Sequence, residues 1–249
     1  MNITIIQSHL HWEDVSSNLL MFENKIEKLE KTDLIVLPEM FTTGFSMNTT
    51  KLAEKMDGKT IKWMFEMAKK SNSVITGSLI IEEQKKYFNR LIWMKPDGTC
   101  EYYDKKHLFS MAKEDEYFSP GSSKKAFSLN GWKICPFICY DLRFPIWNRN
   151  DIDYDVALYV ANWPQKRSLH WKSLLLARAI ENQCYVVAVN RVGMDGKNLQ
   201  YSGDSSIIDP LGNILFQLSE KEAEYNCKLD KVHLNKIRED FPFLKDRDC

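Results

Sequence analysis

The chain has 249 residues and a mass of 29.2 kDa, enough to bury one large core. Its 34 basic and 34 acidic residues cancel and are mixed along the chain, so nothing points to nucleic acid or an anionic membrane, and a small neutral or singly charged ligand fits better. Six scattered cysteines (Cys100, Cys135, Cys139, Cys184, Cys227, Cys249) read as reduced thiols, no apolar run nears the ~18 residues of a membrane span, and the N-terminus lacks a signal-peptide pattern; a soluble cytoplasmic protein is expected.

Residues 2–7 set Ile3, Ile5 and Ile6 among polar residues, a strand pattern, and Val15, Leu19, Phe22, Ile26 and Leu29 then recur at helical spacing, which predicts a helix over 13–29. The run 33–38, DLIVLP, is apolar throughout, as in a strand buried on both faces, and it stops at Pro38 with Glu39 just beyond. A helix over 60–70 and a strand over 74–81 follow, then a hairpin of strands 87–94 and 100–105 around the Pro96-Asp97-Gly98 turn. The stretch 105–120, KKHLFSMAKEDEYFSP, is too polar for a strand and too irregular for a helix, and reads as a functional loop. Residues 132–139 form a buried strand that ends abruptly at Cys139, before a polar turn with Asp141 and Arg143. Another buried run, 156–160, ends in Ala161-Asn162-Trp163-Pro164; Ser168 is placed to cap a helix carrying Leu169, Leu175, Leu176, Ala179 and Ile180, which leads into a strand at 185–190. Strands at 205–208 and 214–216 flank the turn Asp209-Pro210-Leu211-Gly212, the stretch 226–229 follows, and the tail 232–249 reads as a short helix and an extended arm.

No linker, repeat or low-complexity segment divides the chain, so one domain over 1–249 is expected, an α/β layered sandwich. Ligands bind such sheets beyond the carboxyl ends of strands, and Glu39, Lys105, Cys139 and Asn162 all stand at expected strand ends. A thiol beside a carboxylate and a lysine admits one definite chemistry. Cys139 attacks a carbonyl or nitrile carbon, Glu39 takes its proton, and Lys105 with the backbone N–H near Tyr140 holds the oxyanion. The ammonium is also expected to favour thiolate over thiol. Each residue has a plainer reading: a cysteine that only packs, a loop carboxylate, a lysine of a solvated pair. The five histidines are dispersed, with no metal-ligand spacing, and no Gly-rich phosphate loop occurs. A Cys-His-Asn site would require His107 or His170 to be brought to Cys139.

Along nearly its whole length the chain resembles the nitrilase superfamily of carbon-nitrogen hydrolases, through LPEMFTTGF around Glu39, YDKKHLF around Lys105 and ICYDLRFP around Cys139, in the family's order. The resemblance implies a four-layer α-β-β-α sandwich, usually dimerised, and a Glu-Lys-Cys triad that needs no cofactor. It assigns Glu39 as general base, Lys105 rather than Lys106 as catalytic lysine, and Cys139 as nucleophile. It also implies a second glutamate that supports the triad, for which Glu114, seven residues before Gly121, is chosen over Glu116. DLRFPIWNRN, YVANWPQKRSLHW and ARAIENQCYVVAVNRVG look most like the branch that hydrolyses the ω-amide of 2-oxo acids. Deaminated glutathione amidases and N-carbamoyl amidohydrolases are the alternatives within the superfamily. For a substrate carboxylate, Arg143 offers a bidentate guanidinium, unless it pairs with Asp141 or Glu181 as scaffold. Asn162 is either a pocket donor or a turn residue, and Trp163 either a pocket wall or packing.

Overall fold

Alternation along the strands decides the layering. In β1 (Asn2–Gln7), Ile3 and Ile5 point one way and Ile6 the other, and both sides are buried. The computed structural model, which describes residues 1–247, continues with α1 (Val15–Ile26), β2 (Leu34–Val36), the one-turn α2 (Thr49–Leu52), α3 (Lys59–Ser71), β3 (Val74–Glu83), β4 (Lys86–Met94) and β5 (Cys100–Asp104). After them come α4 (Glu114–Tyr117), β6 (Phe127–Leu129), β7 (Trp132–Ile138), α5 (Pro145–Asn148), β8 (Val156–Ala161) and α6 (Ser168–Asn182). The chain closes with β9 (Tyr185–Asn190), β10 (Val192–Met194), β11 (Gln200–Ile208), β12 (Ile214–Ser219), β13 (Ala223–Lys228) and α7 (Lys231–Asp240).

Among the described residues these strands form two sheets, ordered β13-β1-β2-β3-β4-β5 and β10-β11-β9-β8-β7-β6, with β12 paired to β11. Ile3, Ile5, Leu34, Val36 and Val74 join the apolar layer shared with the second sheet, while Ile6, Ile35 and Ile75 pack under α1 and α3. On the far side of the second sheet, Trp171, Leu175 and Ala179 of α6 close the core. The result is the four-layer α-β-β-α sandwich. Each fully buried aliphatic side chain in it contributes about 1.5–3 kcal/mol relative to exposure.

Strand direction gathers the candidate residues. β1, β2 and β3 run parallel, β4 reverses and β5 reverses again, so β2 and β5 end on the same edge of the first sheet. β7, β8 and β9 are parallel in the second sheet, and Cys139 and Asn162 follow the ends of β7 and β8. No helix of the described residues is long and apolar enough to cross a membrane.

Several expectations shift. The first helix is shorter than 13–29 because Asp14 caps it, accepting from Ser17 N–H at 3.0 Å, and it ends before Leu29. Ser168 opens α6 without capping it: its hydroxyl donates to Asp204 instead, at 2.8 Å. The loop 105–120 holds a 3-10 turn at Ser110–Ala112 and then α4. The tail carries a second turn, Phe243–Asp246, after α7; Asp248 and Cys249, its expected end, lie outside the described residues.

Candidate active site

Glu39 stands three residues beyond β2, in a chain still tied to β3 by the Leu37 N–H, which donates to Thr76 O at 2.8 Å. Lys105 directly follows β5. Its N–H donates to Asn89 O on β4 at 3.0 Å, and its carbonyl accepts from Gly121 N–H at 2.8 Å. Gly121 has to be small, because a Cβ there would lie 2.1 Å from the Asp104 carbonyl oxygen. One residue back, Asp104 receives a two-pronged Arg90 guanidinium at 2.7 and 2.9 Å. The lysine is therefore gripped through its backbone on both sides.

The Lys105 ammonium donates to Glu39 Oε1 at 2.9 Å and to both oxygens of Glu114 at 2.9 Å, and all three side chains are fully buried. Glu114, at the start of α4, also accepts from Phe109 N–H at 2.6 Å. Glu116 points outward to Lys113 instead. Burial alone would pull the Lys105 ammonium down, but Glu114 and Glu39 outweigh it and hold it charged well above the usual lysine range. Glu114 is pushed up, by burial first and by Glu39, against the pull of Lys105.

Cys139 opens a 3-10 turn over Cys139–Arg143 with φ at 46°, a left-handed conformation that ends β7 sharply and presents the thiol at the sheet edge. The buried Asp141 carboxylate braces this turn. It accepts from Ile138 N–H at 3.0 Å, from the Tyr103 hydroxyl at 2.8 Å and from His107 N–H at 2.9 Å, and so joins the Cys139 turn to the Lys105 segment. The thiolate expected from a neighbouring ammonium is not what the site favours. Burial pushes the Cys139 thiol well up and Glu39 adds to that, because the one ammonium is already shared by two carboxylates. A thiol raised in this way needs a base before it can act as a nucleophile.

Asn162 ties Glu39 to the second sheet. Its N–H donates to Glu39 Oε2 at 2.7 Å, its side-chain Nδ2 donates to the Glu39 carbonyl at 2.6 Å, and its own carbonyl lies 3.9 Å from Cys139 Sγ. It lines the cavity above the thiol, as the pocket expectation has it, but its amide N–H groups are spent on holding Glu39 rather than turned to a ligand. His107 and His170 are also committed, to Asp141 and to Arg143 respectively. No group of three or more His, Cys, Asp or Glu among the described residues is arranged to hold a metal ion.

A cavity of about 240 Å³ opens above the thiol, lined by Phe45, Phe109, Tyr140, Arg143, Trp163 and Tyr201 among others. Trp163 is both wall and packing: it lines the cavity, donates its indole N–H to Arg167 O at 2.8 Å and leans on Trp171. Arg143 lies over the Trp163 ring, 4.7 Å from its centre. The two acids that would serve as its scaffold partners are engaged elsewhere, Asp141 as above and Glu181 with Arg178 at 2.7 Å. Lys166, Arg167 and Lys197 add positive charge to the same wall, and Asp195, its acidic residue, accepts from the Tyr201 hydroxyl at 2.9 Å.

The electrostatics make a pH prediction. Lys105 and Cys139 are both pushed up, so neither is expected to give an alkaline change near the ~8.5 of a free cysteine. Glu114 is pushed up from 4.5, so the acid limb should lie above the ordinary glutamate range. A profile of kcat/KM is expected to rise across that limb and stay flat to about pH 9. Continued rise through pH ~8.5 would instead indicate a preformed thiolate.

Comparison with known proteins places the chain in a family. The family model for the carbon-nitrogen hydrolases matches residues 2–234. The chain is similar to the omega-amidase YafV of Escherichia coli strain K12, 44% identical over 249 residues, covering 100% of this chain and 97% of that protein. It is 36% identical to the 2-oxoglutaramate amidase of Bacillus subtilis strain 168, covering 98% of this chain and 96% of that one. Among solved structures it resembles a CN-hydrolase superfamily protein from Xanthomonas campestris with an arsenic adduct in its active site. That match has a TM-score of 0.98 and 41% identity, and covers 100% of this chain and 97% of the other. On this evidence the chain belongs to the carbon-nitrogen hydrolase family.

Proposed function

We propose that this amidase hydrolyses the ω-amide of a small 2-oxo acid, such as 2-oxoglutaramate or 2-oxosuccinamate, to the dicarboxylate and ammonia. The observation that carries the reading is a small cavity lined by Cys139, by an Arg143 guanidinium without an acidic partner among the described residues, and by Asn162, which binds the buried Glu39–Lys105–Glu114 cluster. At about 240 Å³ the cavity is below the ~300–1,000 Å³ of sites for drug-sized ligands, which favours a short substrate over a glutathione-sized one. The full-length similarity to an omega-amidase and a 2-oxoglutaramate amidase points the same way.

In this mechanism Glu39 takes the Cys139 proton as sulfur attacks the amide carbon, and the oxyanion is held by Lys105 Nζ and the Tyr140 N–H. Collapse breaks the C–N bond, and the proton held by Glu39 passes to nitrogen so that ammonia leaves. Water, deprotonated by Glu39, then attacks the thioester, and the thiol recovers its proton as the acid departs. Glu114 keeps Lys105 charged and in place, and Arg143 binds the substrate carboxylate over the Trp163 ring. The reaction uses water alone as second substrate and no cofactor. We read residues 1–249 as a single domain, working in the cytoplasm as a homodimer or higher homo-oligomer.

The test is ammonia release from 2-oxoglutaramate, 2-oxosuccinamate, deaminated glutathione and an N-carbamoyl amino acid in parallel. Turnover of the first two is expected, and its absence overturns the reading. For Arg143→Met we expect KM for 2-oxoglutaramate to rise by about ten-fold or more with kcat little changed, as loss of one charge-assisted pair predicts. An unchanged KM would remove Arg143 from carboxylate recognition.

A further inference from the structure

Two carboxylates share one ammonium in this site, and a second donor group sits between them. Asn89 lies in the middle of β4 and is fully buried. Its side-chain Nδ2 donates to Glu39 Oε1 at 2.8 Å and to Glu114 Oε1 at 3.2 Å, the same two oxygens that take hydrogen bonds from Lys105. The other end of the amide is also fixed. Asn89 Oδ1 accepts from the Ser78 hydroxyl at 2.8 Å, and Ser78 Oγ accepts from Met40 N–H at 2.8 Å. The relay starts at the backbone N–H directly after Glu39 and returns to the Glu39 side chain. It also sets which way the amide faces, because the reverse orientation would put Oδ1 against two carboxylate oxygens.

We infer that Asn89 is a positioning residue for the amidase reaction: its neutral amide, oriented by Ser78, bridges Glu39 and Glu114 and holds Glu39 aligned as the base. The inference rests on Glu39 acting as that base. An amide suits this place better than a charged group. With Glu39, Glu114 and Lys105 ionised the cluster carries one excess negative charge; a lysine at position 89 would cancel it and weaken the base, while an aspartate would add a third mutually repelling carboxylate. Asparagine supplies two donors without titrating. Its backbone contributes too, since the Asn89 carbonyl accepts from Lys105 N–H at 3.0 Å, so one residue sets the separation of the lysine and both acids.

The experiment compares Asn89→Ala, Ser78→Ala and Glu39→Gln by kcat, KM and the pH profile of kcat/KM on 2-oxoglutaramate, each corrected for the folded fraction by circular dichroism. For Asn89→Ala we expect kcat to fall about ten- to hundred-fold, as loss of an orienting partner commonly does. KM should stay within about three-fold and the acid limb should move up by about one pH unit. Ser78→Ala should move the limb the same way by less, because the amide stays but loses its anchor. A limb that stays put in the folded variants overturns the inference even where kcat falls, since loss of packing alone gives that pattern. If Asn89→Ala does not fold, Ser78→Ala decides. Glu39→Gln separates the two levels: activity surviving in it removes the base and this inference together, whereas an inactive Glu39→Gln beside an unmoved Asn89→Ala limb removes the inference alone.

Discussion

Replacing Cys139 by alanine is expected to abolish ammonia release while the protein stays folded. The side chain lost is small and its Sγ makes only a long contact, 3.9 Å, to the Asn162 carbonyl. The turn it occupies is held by other groups, chiefly the Asp141 carboxylate bound to Ile138 N–H and to Tyr103. Removing the sulfur should therefore cost about 1 kcal/mol of stability, a few degrees in Tm. Catalysis should fall by about 10⁴ or more, because no thioester can form and a nucleophile acts as a unit with its base. Buried Cys135 and Cys184 provide the contrast. Burial pushes both thiols up, Cys184 to about 12, and unlike Cys139 neither lines the cavity, so their replacement should lower stability and leave the chemistry of folded molecules alone. Mass spectrometry during turnover of a slow amide should find the acyl adduct on Cys139. Normal turnover by Cys139→Ala, or an adduct on another cysteine, would displace it as nucleophile.

Glu39→Gln is the second large effect expected. The carboxylate is surrounded by donors, with Lys105 and Asn89 on Oε1 and Asn162 N–H on Oε2. A glutamine fits the space but must turn its own NH₂ against one of those donors, and Lys105 is left with Glu114 as its acidic partner. The fold should survive with a loss of about 1–3 kcal/mol, the cost of a buried donor left unpaired. Acylation should slow by about 10² at least, since the raised thiol has then lost the group that takes its proton. Single-turnover measurement of ammonia release reads this step directly. A rate within about ten-fold of the unaltered enzyme would take Glu39 out of proton transfer.

Much of the site was legible because its residues interrupt apolar runs. Glu39 after DLIVLP, Lys105 after the hairpin and Cys139 after WKICPFI each mark a strand end, and the structure brings all three to one edge. The strands 2–7 and 185–190 were readable to the residue, since both are bounded by polar positions and buried along their length. What escaped notice depends on partners distant in sequence. Asn162 reaches Glu39 across 123 positions, which no local pattern encodes. Asn89 and Ser78 sit inside strands; the polar pair Asn89-Arg90 within β4 was the available signal, but its meaning appears only when β3 lies beside β4. Ser168 misled because a serine before an apolar helix resembles a cap, whereas Asp204, brought near by the second sheet, takes its hydroxyl. The state of the Cys139 thiol was misread for a related reason: the ammonium was visible in the sequence, but the extent of burial was not.

The bond from Asn162 to Glu39 has one more consequence. Glu39 and Lys105 hang from one sheet and Cys139 from the other, and Asn162 and Asp141 are among the residues that cross between the two at this edge. Neither half of the sandwich holds a usable fraction of the machinery. Turnover in this protein is accordingly a reporter of complete assembly: a chain with one sheet formed and the other still loose is silent, and catalytic power returns only when the layers close.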